Sequence, residues 1–183
     1  MTVYQNKEKP KSNRKLFVLL FILLAVAGVW MLKNSEKQSA VIEMSSEAGT
    51  GDFALHVTES LDIEKLKSHG LPIIIDFGAD SCIPCKEMAP VLVELNQEYM
   101  GKAIVKFVDV WKYQKLGEGY PLRAIPTQVF IDASGKPFQP EDPAKHRMTM
   151  YASNESGEHV FTVHEGGMTK DQLVAVLKEM GVD

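Results

Sequence analysis

Apolar and polar positions divide the chain into three stretches. Leu16 to Leu32 reads LFVLLFILLAVAGVWML, an apolar run without charge or proline. At about 17 residues it is at the short end of what spans a bilayer as a helix. Residues 33–52 are polar, rich in Ser and Glu and without sustained periodicity, the composition of a tether. Residues 53–183 mix short apolar runs with helical spacings and carry no internal repeat, which predicts one folded domain.

Within that domain, Phe53 to Thr58 (FALHVT) predicts a short edge strand. Leu61, Ile63 and Leu66 have helical spacing, and Gly70 can end that helix. LPIIIDFGA is apolar, β-branched and too short for a helix, so it predicts a buried strand. Met88, Leu92, Leu95 and Tyr99 fall on one face of the helix that follows, and Pro90 inside it predicts a kink. AIVKFVDV is a second buried strand, WKYQKLGEGYPLRA a helical or irregular crossover, and IPTQVFID a third strand. PFQPEDPAKH, with three prolines, is a loop. RMTMYAS and HVFTVHEGG read as a hairpin joined by NESGE, so the glycosylation-like pattern at Asn154 is read as a polar turn. The last helix opens with Thr169 and Gln172 at capping-box spacing and has an apolar face of Leu173, Val176, Leu177 and Met180. Alternation in the first half implies parallel strands, and the hairpin implies antiparallel ones. The fold class is therefore α/β, a mixed central sheet flanked by helices.

Charge orients the chain. Lys7, Lys9, Lys11, Arg14 and Lys15 precede the apolar run, while only Lys33 and Lys37 follow closely. The positive-inside bias leaves residues 1–15 in the cytoplasm, makes 16–32 a single-pass transmembrane anchor, and puts the rest outside the cytoplasm, in a periplasm or at the cell exterior. Trp30 suits the membrane interface. A cleaved signal peptide is the alternative, since Ala25 to Ala27 (AVA) resembles a cleavage site, but the run continues through GVWML. A buried soluble helix is a third reading, because the run is apolar all round. The net charge of −4 and the lack of a basic stripe with interleaved aromatics in the domain give no reason to expect a nucleic-acid partner.

Cys82 and Cys85, in ADSCIPCK, are the only cysteines. A chain of 183 residues builds a core without disulfides, which weakens a purely structural role. The pair falls between a buried strand and a helix. A helix N-terminus stabilises a thiolate, and the thiolate is the nucleophile. Cys82 is then the exposed attacking sulfur, and Cys85, one turn in, the buried resolving sulfur. Pro84 costs little there, because its missing N–H has no helical partner. Asp76 sits among apolar residues on the preceding strand, where burial raises a carboxyl pKa and suits it to exchange a proton with Cys85. Pro126 opens a strand after Ile125, where a cis bond fits. Gly166 and Gly167 end the last strand and allow close backbone approach. Metal binding finds little support: there is no second cysteine pair, and His56, His69, His146, His159 and His164 are scattered.

Together these segments resemble the thioredoxin family. IIIDFGADSCIPCKEMAP is similar to its strand–CxPC–helix segment at Asp76, Phe77, Ala79, Cys82, Pro84, Cys85, Lys86 and Pro90. LRAIPTQVFID is similar to its cis-proline strand, and EGGMTKDQLVAVL to its last strand end and helix. The resemblance spans roughly residues 53–136 and 159–183 and leaves 137–158 as an insertion without an assigned role. It implies a thioredoxin fold, attack by Cys82, release by Cys85, and Asp76 as buried proton carrier with Lys106 as companion. It further implies a cis Pro126 against the sulfurs, and Ile125, Pro126 and Gly166 as the substrate-binding backbone. Ser81 replaces the usual Trp and Ile83 the usual Gly, which bears on the redox potential.

The expected function is thiol–disulfide exchange, in the direction of reduction, on disulfide-bearing exported proteins. No cofactor is expected beyond the Cys82–Cys85 pair. The resemblance points to electrons arriving from a transmembrane donor of the CcdA or DsbD kind. The alternatives are a disulfide oxidase or isomerase and, from another class, a metal carrier or adaptor on the same scaffold.

Overall fold

The computed structural model describes residues 51–183. The expected anchor at 16–32 and nearly all of the tether lie outside the described residues. Among the described residues no helix is long and apolar enough to cross a membrane.

Six strands form one sheet in the order β1-β3-β2-β4-β6-β5. They are β1 (His56–Val57), β2 (Ile73–Gly78), β3 (Ile104–Asp109), β4 (Thr127–Ile131), β5 (Met148–Ala152) and β6 (His159–Glu165). β1, β3 and β2 run parallel, whereas β4, β6 and β5 pair antiparallel. β2, β3 and β4 are buried along their whole length, as their near-continuous apolar sequences require.

The strand period of two sorts β2 between two cores. Ile74 packs with Met88, Leu92 and Leu95 of helix α2 (Ile83–Glu98) and Leu173 and Leu177 of helix α3 (Lys170–Glu179). Ile73, Ile75 and Phe77 face the opposite side, with Leu66 of helix α1 (Ile63–Lys67). Asp76 and Gly78 share the parity of Ile74 and so face α2. Helix starts and stops follow local chemistry. Asp62 caps α1, accepting a bond from the Lys65 N–H at 3.0 Å. Thr169 and Gln172 form the reciprocal capping box of α3.

One segment departs from the sequence expectation. The edge strand is two residues long, not the whole of Phe53–Thr58. The crossover after β3 takes the irregular one of its two expected forms, apart from a 3-10 turn at Gln114–Gly117, because Gly117, Gly119 and Pro121 break its helical spacing. Segment 137–158 supplies β5, which adds an edge to the sheet beyond β6. It is tied down by the Phe138 N–H bonding the Phe130 carbonyl at 3.0 Å, and by buried His146 meeting Glu179 of α3 at 2.8 Å.

Candidate active site

Cys82 is the N-cap of α2, and its carbonyl accepts the Lys86 N–H at 3.0 Å, the first bond of the helix. Cys82 and Cys85 are joined as a disulfide, with Cα atoms 5.3 Å apart. Both lie at the positive end of a 16-residue helix with no acidic side chain in its first turn. Rather than standing exposed, Cys82 is only 8% accessible, and Cys85 3%. Ile83 between them is the projecting residue, 73% exposed.

The structure brings the expected partners around the pair. The Ile125–Pro126 bond is cis. Ile125 packs on Ala79 and the two cysteines, with its carbonyl oxygen 3.9 Å from Cys82 Sγ. Gly166, at φ +103°, donates its N–H to the Pro126 carbonyl at 2.8 Å. That backbone angle favours glycine. Gly167 also lies alongside the motif, since a Cβ there would stand 3.9 Å from the Pro84 carbonyl.

Asp76 lies beneath the disulfide and is fully buried. Desolvation pushes its carboxyl up to about 7, against the opposing effect of the bond that Gln128 Nε2 donates to Oδ1 at 2.7 Å. Its other oxygen, Oδ2, has no hydrogen-bond partner. Gly78 explains what that oxygen faces. A Cβ on Gly78 would lie 3.3 Å from Asp76 Oδ2 and 3.2 Å from Cys85 Sγ. The carboxyl oxygen and the Cys85 sulfur therefore both border the position that Gly78 leaves without a side chain.

Lys106 is not placed as the companion of Asp76. Its Nζ donates to the Ala54 carbonyl at 2.6 Å, and burial lowers its pKa. The physical reason is parity. Lys106 pairs with Ile75, one residue off the Asp76 register, and so leans to the other side of the sheet.

Three residues that the sequence reading passed over belong to the site. Gln128 stands opposite Asp76 on β4, and His164 stands opposite Gln128 on β6. Asp109, at the end of β3, accepts N–H bonds from Asp80, Trp111 and Lys112, each at 3.0 Å. Burial opposes its ionisation, but those three donors hold the Asp109 carboxyl below the usual range. It thus pins the loop entering the cysteine motif to the loop after β3. The available signal was a polar residue inside an otherwise apolar strand, as in IPTQVFID and HVFTVHEGG.

Among the described residues no cluster of three or more His, Cys, Asp or Glu side chains could hold a metal ion. The arrangement offers a two-electron dithiol, a helix terminus that favours thiolate, and a buried carboxyl group that titrates near neutrality.

The thioredoxin family model matches residues 55–154. Thioredoxin-1 of Drosophila melanogaster is 44% identical over 59 residues, 32% of this chain and 55% of that protein. This chain thus spans little more than half the length of that relative. A thioredoxin of Mycoplasmoides gallisepticum is 31% identical over 103 residues, 56% of this chain and 95% of that protein. A solved mutant thioredoxin from Halobacterium salinarum is 24% identical with a TM-score of 0.48, covering 72% of this chain and 96% of its own. On the family match and the near-complete coverage of the Mycoplasmoides protein, the chain belongs to the thioredoxin family.

Proposed function

We propose that this protein is a thiol–disulfide oxidoreductase that reduces disulfides in exported proteins. The observation that carries the reading is the convergence of Cys85 Sγ and Asp76 Oδ2 on the space beside Gly78. In the reduced state Cys82, as thiolate, attacks a substrate disulfide. A mixed disulfide forms and the first substrate sulfur leaves. Asp76 takes the proton of the Cys85 thiol, and the Cys85 thiolate attacks Cys82 Sγ. The Cys82–Cys85 disulfide forms and the second substrate sulfur leaves. Two electrons pass to the substrate, and no cofactor is needed. Ile125, Pro126 and Gly166 offer backbone beside Cys82 against which an extended substrate segment can lie.

Reduction is the preferred direction because Pro84, Asp76 and the Ile125–Pro126 pair are all thioredoxin-like. The exported location rests on Leu16–Leu32 and the basic residues before it, acting as a single-pass anchor with the domain outside the cytoplasm. Reduction there needs an electron supply, and a transmembrane dithiol donor fits that chemistry. Insulin reduction with dithiothreitol as electron source tests the activity. Turnover by the wild type and none by Cys82→Ser is expected, and equal rates would sink it.

A further inference from the structure

The sheet register lines up one row of residues across all six strands. His56 pairs with Phe107, Phe107 with Asp76, Asp76 with Gln128, Gln128 with His164, and His164 with Met148. The centre of the row is polar and buried: Asp76 and Gln128 are 0% exposed and His164 is 3% exposed. Gln128 Nε2 donates to Asp76 Oδ1 at 2.7 Å, and Gln128 Oε1 lies 3.0 Å from His164 Nδ1. An amide oxygen only accepts, so Nδ1 of His164 carries the proton and donates. The carboxamide is thereby fixed in one orientation, with its N–H group aimed at the carboxylate. The bond from Gln128 in turn holds Asp76 Oδ1, leaving Oδ2 turned to Cys85.

We propose that Gln128 and His164 are positioning residues of the redox centre, a hydrogen-bonded row that holds Asp76 toward Cys85 and favours its ionised form. The inference rests on the reading of Asp76 as the proton acceptor of Cys85. A row of this polarity counters the desolvation of the carboxylate, since each bond points its donor end toward Asp76. Burial first, then the Arg147 guanidinium ahead of β5, lowers the His164 pKa; a hydrogen bond with the Gly166 backbone and, after it, neighbouring Glu165, itself paired with Arg123, act the other way. Neutral imidazole with its proton on Nδ1 satisfies the row. Around Asp76, β3 contributes Phe107, β4 contributes Gln128, and α2 contributes Cys85 and Met88, whose Sδ lies 3.5 Å from Gln128 Nε2. Lys106, the one charged group on the adjoining stretch of β3, is bonded to Ala54 instead.

The test is the titration of the Asp76 carboxyl carbon by NMR in the full-length oxidised chain in detergent, its resonance identified by its loss in Asp76→Asn. Gln128→Leu removes the donor, and the titration midpoint is expected to rise by about one pH unit. His164→Leu is expected to raise it by less. His164→Asn is expected to restore the wild-type midpoint, because its Nδ2 donor can stand where Nδ1 stood. A variant that merely loosens packing does not produce that rescue. Unchanged midpoints in both leucine variants would overturn the proposal, and so would His164→Asn behaving like His164→Leu. If Gln128→Leu does not fold, the two His164 variants carry the test. The measurement uses no substrate, so a chain that fails to reduce insulin sinks the redox reading separately.

Discussion

Asp76 Oδ2 and Cys85 Sγ each lie within 3.3 Å of the point where a Cβ on Gly78 would stand. That oxygen has no hydrogen-bond partner, and in the proposed mechanism it takes the proton of the Cys85 thiol. Neutralising that acceptor should slow resolution but not the initial attack. In Asp76→Asn the mixed disulfide should persist, and insulin reduction near pH 7.5 should fall by about tenfold or more. Stopped-flow detection of the mixed disulfide checks this; equal lifetimes in the two proteins would contradict it.

The buried carboxyl also makes stability depend on pH. Burial raises Asp76 to about 7 in the folded protein, against an ordinary 3.8. Between those values the folded state keeps a proton that the unfolded chain has lost. Stability therefore falls as pH rises from about 4 to about 7, by about 4 kcal/mol from this group. Asp76→Asn should be more stable than wild type near pH 8 by an amount of that order and nearly equal near pH 4. Urea unfolding at both values decides it, and the same gain at both would exclude ionisation as the cause.

Adding a methyl group at Gly78 overfills that position. In Gly78→Ala the new carbon would meet Phe107 Cε2 at 2.9 Å, tighter than a real contact, as well as both reacting partners. A loss of about 1–3 kcal/mol in stability is expected from overpacking, with slower resolution of the mixed disulfide. An Ala variant as stable and fast as wild type would show that the missing side chain at Gly78 has no role.

Asp109 holds two loops beside the cysteine motif through three N–H bonds. Asp109→Ala should cost about 2 kcal/mol by orphaning those donors. Its depressed carboxyl contributes stability present above the ordinary aspartate range and lost as pH falls through its folded value. The deficit of Asp109→Ala relative to wild type should therefore shrink in acid, which thermal unfolding at about pH 3 and pH 7 would register. A deficit independent of pH would contradict the account.

The direction of electron flow shows in the reduction potential. Equilibration of the full-length protein with a redox buffer should give a value near the thioredoxin end, about −270 mV. A value near about −120 mV would identify a disulfide donor and leave the fold unchanged. Ser81 and Ile83, where the motif departs from the family pattern, would then be the residues to exchange first.

Much of this site was legible in the sequence, because its signals are local. Cys82, Cys85 and Pro84 belong to one helical turn, and Asp76 stands out as a carboxylate in an apolar strand. Gln128 and His164 were not legible, since a lone polar residue in a strand reads as solvent-facing until the register places it in a row. Lys106 was misplaced for a related reason: its strand was predicted, but its parity against Asp76 was not. The length of β1 was also beyond local pattern, because pairing with β3 decides it.

Trapping the mixed disulfide tests the central claim most directly. In Cys85→Ser the attacking Cys82 has no resolving partner, so a stable covalent adduct with a disulfide-bearing protein should accumulate. Cys82→Ser should give no such adduct. Equal trapping by both variants, or trapping only by Cys82→Ser, would contradict the assignment of Cys82 as nucleophile and Cys85 as its resolving partner.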